Sequence, residues 1–198
     1  MTDLMIDLET LGTKPGCVIL AIGAVQFDLA TGYTGNQFLS KIDLCDSVSQ
    51  GFHVEQATSD WWSKQPVNTA AHSFCGTIKL SDSLNSFSNF IKRTFPEPVK
   101  VWGNSSRFDL GILEYAYLKL SLQVPWSSFN EWDYRTYSKA IAGIRESVEF
   151  VGVKHEPIND CIHQIKVVSA VKKVISTYES VLRSDNGLNG NHHLTQAA

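Results

Sequence analysis

The sequence predicts an α/β fold, a mixed sheet covered by helices, and three observations carry that reading. Apolar, β-branched runs over residues 4–10, 17–27 and 37–42 are separated by short turns rich in Gly, Pro and Thr. Short turns join strands antiparallel, because a parallel neighbour needs a crossover of about a dozen residues or more. Beyond Val54 the spacing becomes helical, with a short apolar run at 99–103 set between helices, so parallel strands join the antiparallel meander. A chain of 198 residues, 43% hydrophobic and 19% charged, suits one domain with a core that needs no disulfides.

Each element follows from local pattern. In the first strand Leu4, Ile6 and Leu8 face one side while Met5, Asp7 and Glu9 face the other. Gly12-Thr13-Lys14-Pro15-Gly16 is a turn, and Thr31-Gly32-Tyr33-Thr34-Gly35 parts the second strand from the third. Thr58-Ser59-Asp60 can cap a helix carrying Trp61, Trp62 and Lys64, which Pro66 stops. Residues 80–94 place Leu84, Phe87, Phe90 and Ile91 at helical spacing, ahead of Pro96 and Pro98. A helix is expected over 106–120, a loop over 121–129, a new element at Trp132-Asp133 and a short helix over 134–144. The last helix opens at Pro157, a residue tolerated in a first turn, and runs to about Leu182 behind a stripe of Ile158, Ile162, Ile165 and Val168. The domain is therefore expected over 1–182, with a polar, Gly/Asn-rich tail at 183–198 expected to be disordered.

A net charge of −3 argues against a basic protein that coats DNA, though not against an enzyme that meets phosphates through bound cations. Cys17, Cys45, Cys75 and Cys161 are widely spread without a C-x-x-C pair, which fits core thiols in a reducing cytosol better than a zinc site or a secreted scaffold. The start, Met1-Thr2-Asp3, lacks a basic leader region, and the longest apolar run is too short for a bilayer. The expectation is a cytoplasmic protein with no membrane partner.

Asp7 and Glu9 point the same way, two strand rises or roughly 6.5 Å apart. Like charges so close raise each other's pKa unless a cation sits between them, and the simplest such cation is a divalent metal. A strand can also carry such a pair on a solvated face with no function. Asp109 follows a buried strand and opens a helix whose apolar residues Ile112, Leu113, Ala116 and Tyr117 share its face. Ser106-x-x-Asp109 is equally a capping box, and the two roles are compatible. His155-Glu156-Pro157-Ile158-Asn159-Asp160 then sets a loop histidine ahead of a first-turn aspartate.

Asp7-x-Glu9, a mid-chain Asp109 and a terminal His155-x4-Asp160 resemble, in order and spacing, the DEDD exonuclease superfamily, histidine subclass (DEDDh, DnaQ-like). The likeness covers about residues 4–174. Its Trp61-Trp62 helix and Trp132-Asp133-Tyr134-Arg135-Thr136 segment look most like phage and bacterial exonucleases of that group. The resemblance implies a ribonuclease-H-like fold. It also implies that Asp7, Glu9, Asp109 and Asp160 hold two Mg²⁺ ions, for which Mn²⁺ can substitute, with Asp7 bridging and His155 as general base. Physical chemistry agrees: two metals stabilise charge on the entering and leaving oxygens, oxygen ligands select hard cations, and an imidazole near neutrality accepts a proton. The resemblance further makes Thr10 and Leu11 candidates for the terminal nucleotide. Phe108 is a candidate for base stacking, or equally for sheet packing. Arg107 and Arg135 are candidates for phosphates or plain surface groups, while Trp61 and Trp62 read as core. Glu156 adds a fifth carboxylate whose direction the sequence leaves open.

The expected activity is 3′-to-5′ hydrolysis from single-stranded 3′ ends, releasing nucleoside 5′-monophosphates, with DNA preferred over RNA as partner. An exoribonuclease or oligoribonuclease with the same chemistry is the first alternative, a non-catalytic nucleic-acid-binding module the second, and an α/β protein whose acids are caps and surface groups the third. Oligomeric state is left open.

Overall fold

The computed structural model describes residues 1–96 and 98–189. Its centre is a five-stranded sheet in the order β3-β2-β1-β4-β5. Strands β1 (Asp3–Thr10), β2 (Ile19–Phe27) and β3 (Thr34–Lys41) form the expected antiparallel meander, while β4 (Lys100–Gly103) and β5 (Glu131–Asp133) run parallel to β1. β1 is therefore a central strand covered on both faces, and every one of its residues is buried. Asp7 and Glu9 do not sit on a wet face, which removes the simplest functionless reading of the pair.

One face of the sheet packs Leu4, Ile6 and Leu8 against α4 (Leu80–Thr94) and α5 (Gly111–Lys119), through Leu84, Phe87, Ile112, Leu113 and Tyr117. The other face packs Met5, Val25, Phe27 and Trp102 against Cys161, Ile165 and Val168 of the long last helix, α8 (Pro157–Asn189). The period-two alternation read in β1 thus separates two cores, with both carboxylates on the α8 side.

Several expectations need adjustment. Two helices, α1 (Leu44–Ser49) and α3 (Val67–Phe74), lie in stretches read as connections, and Pro66 caps α3 as well as ending the segment before it. Helix α2 (Gln56–Trp62) starts one turn ahead of the Thr58-Ser59-Asp60 cap, which lies inside it. The helix expected over 106–120 begins as a wide π-helical turn, Ser106–Leu110, before α5. The segment expected as one helix over 134–144 is broken into α6 (Tyr134–Tyr137), a 3₁₀ turn at Ser138–Ala140 and α7 (Ile144–Ser147). Helix α8 continues past Leu182 to Asn189, so the first residues of the expected tail are helical, and residues 190–198 lie outside the described residues. Cys17 and Cys161 are buried thiols as expected, but Cys45 and Cys75 are exposed. Among the described residues no helix is long and apolar enough to cross a membrane.

Candidate active site

Two glycines make room for the site beside Asp7. Gly23 of β2 is the register partner of Asp7, and a Cβ there would collide with Pro157 and meet the backbone of Ile158. The N-terminus of α8 can therefore lie directly on the sheet, and the Cys161 thiol donates to the Met5 carbonyl at 3.5 Å. On the other flank Gly103 ends β4 opposite Ile6, and a Cβ there would come within 3.1 Å of the Asp109 Cβ. The signal was present in the sequence: glycine inside a strand marks close approach of another backbone.

Asp7, Glu9 and Asp160 each offer a carboxylate oxygen, and these atoms lie within 4.8 Å of one another. Asp109 is outside that group, though its charge acts on Asp7, and both its oxygens are anchored. Oδ1 accepts the Leu8 amide at 3.3 Å and Oδ2 accepts the Ser105 amide at 3.1 Å. The bond to Ser105 caps the helix start, and the bond to Leu8 ties that cap to β1. Ser106 does not close a box with Asp109; its amide donates instead to Asp133 Oδ2 of β5 at 2.8 Å.

His155 has a left-handed backbone, φ 63°, which histidine adopts more readily than most residues. This turn aims its amide at Asp160 Oδ2, 2.8 Å away. Its ring meets Trp61 edge-on, centroids 4.9 Å apart, and Trp62 at 6.2 Å. Burial, with the Lys154 charge second, lowers the imidazole pKa. The ring is thus neutral at pH 7 and able to accept a proton.

All four acids and His155 line one cleft of about 550 Å³, together with Thr10, Phe108 and Trp61. Thr10 is held on both sides: its hydroxyl donates to the Gly12 carbonyl at 2.7 Å, and its own carbonyl accepts the Trp62 indole N–H at 2.9 Å. Trp62 is a core residue at 3% exposure, whereas Trp61 is 40% exposed on the cleft wall and does not read as core. Leu11 is not in the cleft; it is buried behind it, against an apolar groove that it shares with Trp62 and Phe74. Arg107 is exposed and lines a separate recess with Pro15 and Tyr115, and Arg135 is exposed on α6. Glu156 turns away from His155, pairing with His72 Nδ1 at 2.9 Å and accepting from Asn159 Nδ2 at 3.1 Å.

Sequence reading missed Gln164 and Glu55, which also line the cleft. Gln164 is 5% exposed, donates to Asp7 Oδ1 at 2.9 Å, and leaves its own Oε1 without a partner among the described residues. Such an orphaned acceptor costs about 1 to 3 kcal/mol. The signal was a polar residue on the apolar side of α8, four residues after Asp160.

The electrostatics of the cleft fit a divalent cation. Burial, and then the charges of Asp109, Glu9 and Asp160, push the Asp7 carboxyl well above its ordinary range. Burial with Asp160 and Asp109 raises Glu9 to about 9, burial raises Asp109 to about 7, and burial raises Asp160 to about 6. No lysine or arginine lines the cleft among the described residues. Full ionisation of these oxygens therefore calls for positive charge brought in from outside, and hard, all-oxygen ligands favour Mg²⁺ or Mn²⁺. Their grouping can hold such ions, and a neutral imidazole beside them can take a proton from a water at the same place.

Comparison with known proteins gives the fold and the family. The nuclease domain of 3′hExo, a DEDDh family member bound to rAMP, is 10% identical with a TM-score of 0.59, over 88% of this chain and 92% of that one. Cell-death related nuclease 4 (CRN-4) is 12% identical with a TM-score of 0.57, over 88% of this chain and 64% of that one. Exonuclease I of E. coli, in a zinc-bound complex with single-stranded DNA, is 16% identical with a TM-score of 0.57, over 92% of this chain but 42% of that one. At these identities the likeness is one of fold, and that fold is ribonuclease-H-like. The chain spans less than two thirds of the length of the last two structures. No curated protein matches it in sequence. The family model described as "3'-5' exoribonuclease Rv2179c-like domain" matches residues 2–172, and over that span, which holds every acid of the cleft and His155, the chain belongs to the Rv2179c-like 3′-5′ exoribonuclease family.

Proposed function

We propose that the protein is a metal-dependent 3′-to-5′ exonuclease that shortens single-stranded nucleic acid from its 3′ end and releases nucleoside 5′-monophosphates. The observation that carries the reading is the meeting of Asp7, Glu9 and Asp160 within 4.8 Å, in a cleft also lined by Asp109 and His155. Asp7, Glu9, Asp109 and Asp160 would hold two divalent cations, Mg²⁺ or Mn²⁺, which when bound supply charge stabilisation at the entering and leaving oxygens of the phosphodiester. Domain boundaries of 1–182 accommodate all of these groups.

The chain's own side chains do the rest. His155 takes the proton of the attacking water on an imidazole nitrogen, and its lowered pKa keeps that nitrogen free at neutral pH. The water oxygen bonds to phosphorus, the P–O3′ bond breaks, and the departing 3′ oxygen takes a proton from solvent, so the shortened strand ends in a 3′ hydroxyl while the freed nucleotide keeps its 5′ phosphate. Thr10, fixed through its hydroxyl and carbonyl, would meet the terminal nucleotide. Phe108 and Trp61 offer aromatic surfaces to the bases, as single-strand sites do. Leu11 acts from behind by supporting Trp62, and Arg107 and Arg135 serve as outer contacts for phosphates beyond the cleft.

RNA is the polymer placed first, because the matched family is described by an exoribonuclease domain, and the DNA preference expected from sequence is its direct competitor. Incubation of 5′-labelled single-stranded RNA and DNA of one sequence with Mg²⁺, Mn²⁺ or EDTA tests both points. A ladder shortening from the 3′ end, with mononucleotide product and none in EDTA, is the expected result. Internal cleavage, or equal activity in EDTA, would overturn the assignment. Faster loss of the DNA would reverse the order of substrates.

A further inference from the structure

The geometry points to Gln164 as a positioning residue of the cation site, an uncharged group that orients Asp7 with its amide N–H and keeps its carbonyl oxygen for a donor that enters with the cation. This rests on the cation reading above and adds to it a residue outside the acid and histidine set.

Three observations support it. Gln164 lies one helical turn beyond Asp160 on α8, so the two side chains emerge on the same side of the helix and line the same cleft. Its Nε2 donates to Asp7 Oδ1 at 2.9 Å. When a cation keeps Asp7 ionised its oxygens can only accept, so in that state the amide nitrogen faces Asp7, as it does here, and the carbonyl oxygen faces elsewhere. That oxygen is buried and has no partner among the described residues. The neighbouring α8 positions on the sheet are apolar, Cys161, Ile165 and Val168, so Gln164 brings a polar group into apolar packing. A buried acceptor that folding alone does not explain points to a partner in the working state.

Charge explains why this group is an amide. The four carboxylates proposed as ligands carry four negative charges, which two divalent cations balance, while Glu55, which also lines the cleft, is engaged by Thr13 and His53. A further acceptor that carried charge would disturb that balance, whereas a carbonyl does not. Magnesium gives up its hydration waters reluctantly, and a retained water is a donor suited to a neutral carbonyl oxygen. At the same time the N–H bond to Asp7 fixes which carboxylate oxygen remains open, in the way that groups behind metal ligands orient them.

The test is Mn²⁺ titration of the full chain without nucleic acid, read by the loss of free-ion paramagnetic signal. Wild type is compared with Gln164→Met, which keeps side-chain length, and Gln164→Leu, which differs in shape and so guards against a packing fault in the first variant. Both variants should bind Mn²⁺ about 10- to 100-fold more weakly. Their thermal midpoints in EDTA should stay within a few degrees of wild type. Binding within two-fold of wild type in either variant overturns the proposal. So does a large fall of the EDTA midpoint with affinity preserved, since that marks a structural role only. Failure of wild type itself to bind Mn²⁺ would instead sink the cation reading on which the inference rests.

Discussion

Asp109 and Glu9 face the same cleft but are held in opposite ways. Asp109, 1% exposed, accepts two backbone amides, one from its own helix start and one from β1. Glu9, 6% exposed, accepts no hydrogen bond among the described residues. Both are raised by burial, yet Asp109 reaches only about 7, its backbone donors opposing the rise, while Glu9 reaches about 9. One wall of the cleft is thus finished at folding. The other wall, Glu9 with Asp7 and the free oxygen of Asp160, is built with charge left over for a cation to satisfy.

The largest expected effects separate the two walls. Asp7→Asn keeps an oxygen for Gln164 but loses the charge, so turnover should fall by several kcal/mol of transition-state stabilisation, about 10³- to 10⁵-fold. The same change relieves like-charge repulsion, so the thermal midpoint in EDTA should hold or rise. Asp109→Asn should lose comparable activity and also about 1 to 3 kcal/mol of stability, because one of its two backbone donors would face an amide N–H. Equal midpoints for the two variants in EDTA would mean that the two walls are held alike. Next in size is His155→Ala, expected to cost about 10²- to 10⁴-fold in turnover with Mn²⁺ affinity retained, since no ligand oxygen is removed. Loss of affinity would instead make His155 part of the cation cage.

How much of this was visible beforehand depends on the kind of contact. The carboxylates could be found because Asp7-x-Glu9 and His155-x4-Asp160 are local spacings, and helix 80–94 because its apolar stripe and flanking prolines are local too. What the sequence hid was set across the sheet. Asp133 capping the 106–110 turn, Gln164 reaching Asp7 and Glu156 turning to His72 all join residues distant in the chain. The helix start at Glu55 was misplaced because Thr58-Ser59-Asp60 carries good cap chemistry inside a helix that tertiary packing began earlier. Leu11 was misassigned for a related reason: adjacency to Thr10 says nothing about which side of the wall a side chain occupies.

Gly23→Ala puts a methyl into Pro157, so α8 must shift off the sheet at about 1 to 3 kcal/mol, and Mn²⁺ affinity should fall with it as Asp160 moves. An unchanged affinity would mean that the cation depends on β1 alone. pH acts on the unfinished wall. Glu9 and Asp160 rise from ordinary values of 4.5 and 3.8 to about 9 and about 6. The folded state then binds protons more tightly than the unfolded one. The stability this contributes is complete below the ordinary values and is lost progressively above them, until pH passes about 6 for Asp160 and about 9 for Glu9. In EDTA the thermal midpoint should fall across that window, and saturating Mn²⁺ should reverse the slope because cation replaces proton. Parallel slopes with and without Mn²⁺ would count against a shared site.

The least effect is expected from Glu156→Gln, and it matters because Glu156 is the immediate neighbour of His155 in the chain. Its carboxylate faces away, with one oxygen 2.9 Å from His72 Nδ1 and the other on Asn159, and the pair with His72 is partly exposed. An exposed pair of this kind is worth at most about 1 kcal/mol. The His155 imidazole, moreover, has its pKa lowered by its own burial and by Lys154, with no contribution from Glu156. Turnover should stay within about two-fold of wild type, and the pH at which activity rises should not move. A displaced pH profile would mean that Glu156 does reach the imidazole during the reaction, and that the loop before α8 turns over as substrate binds.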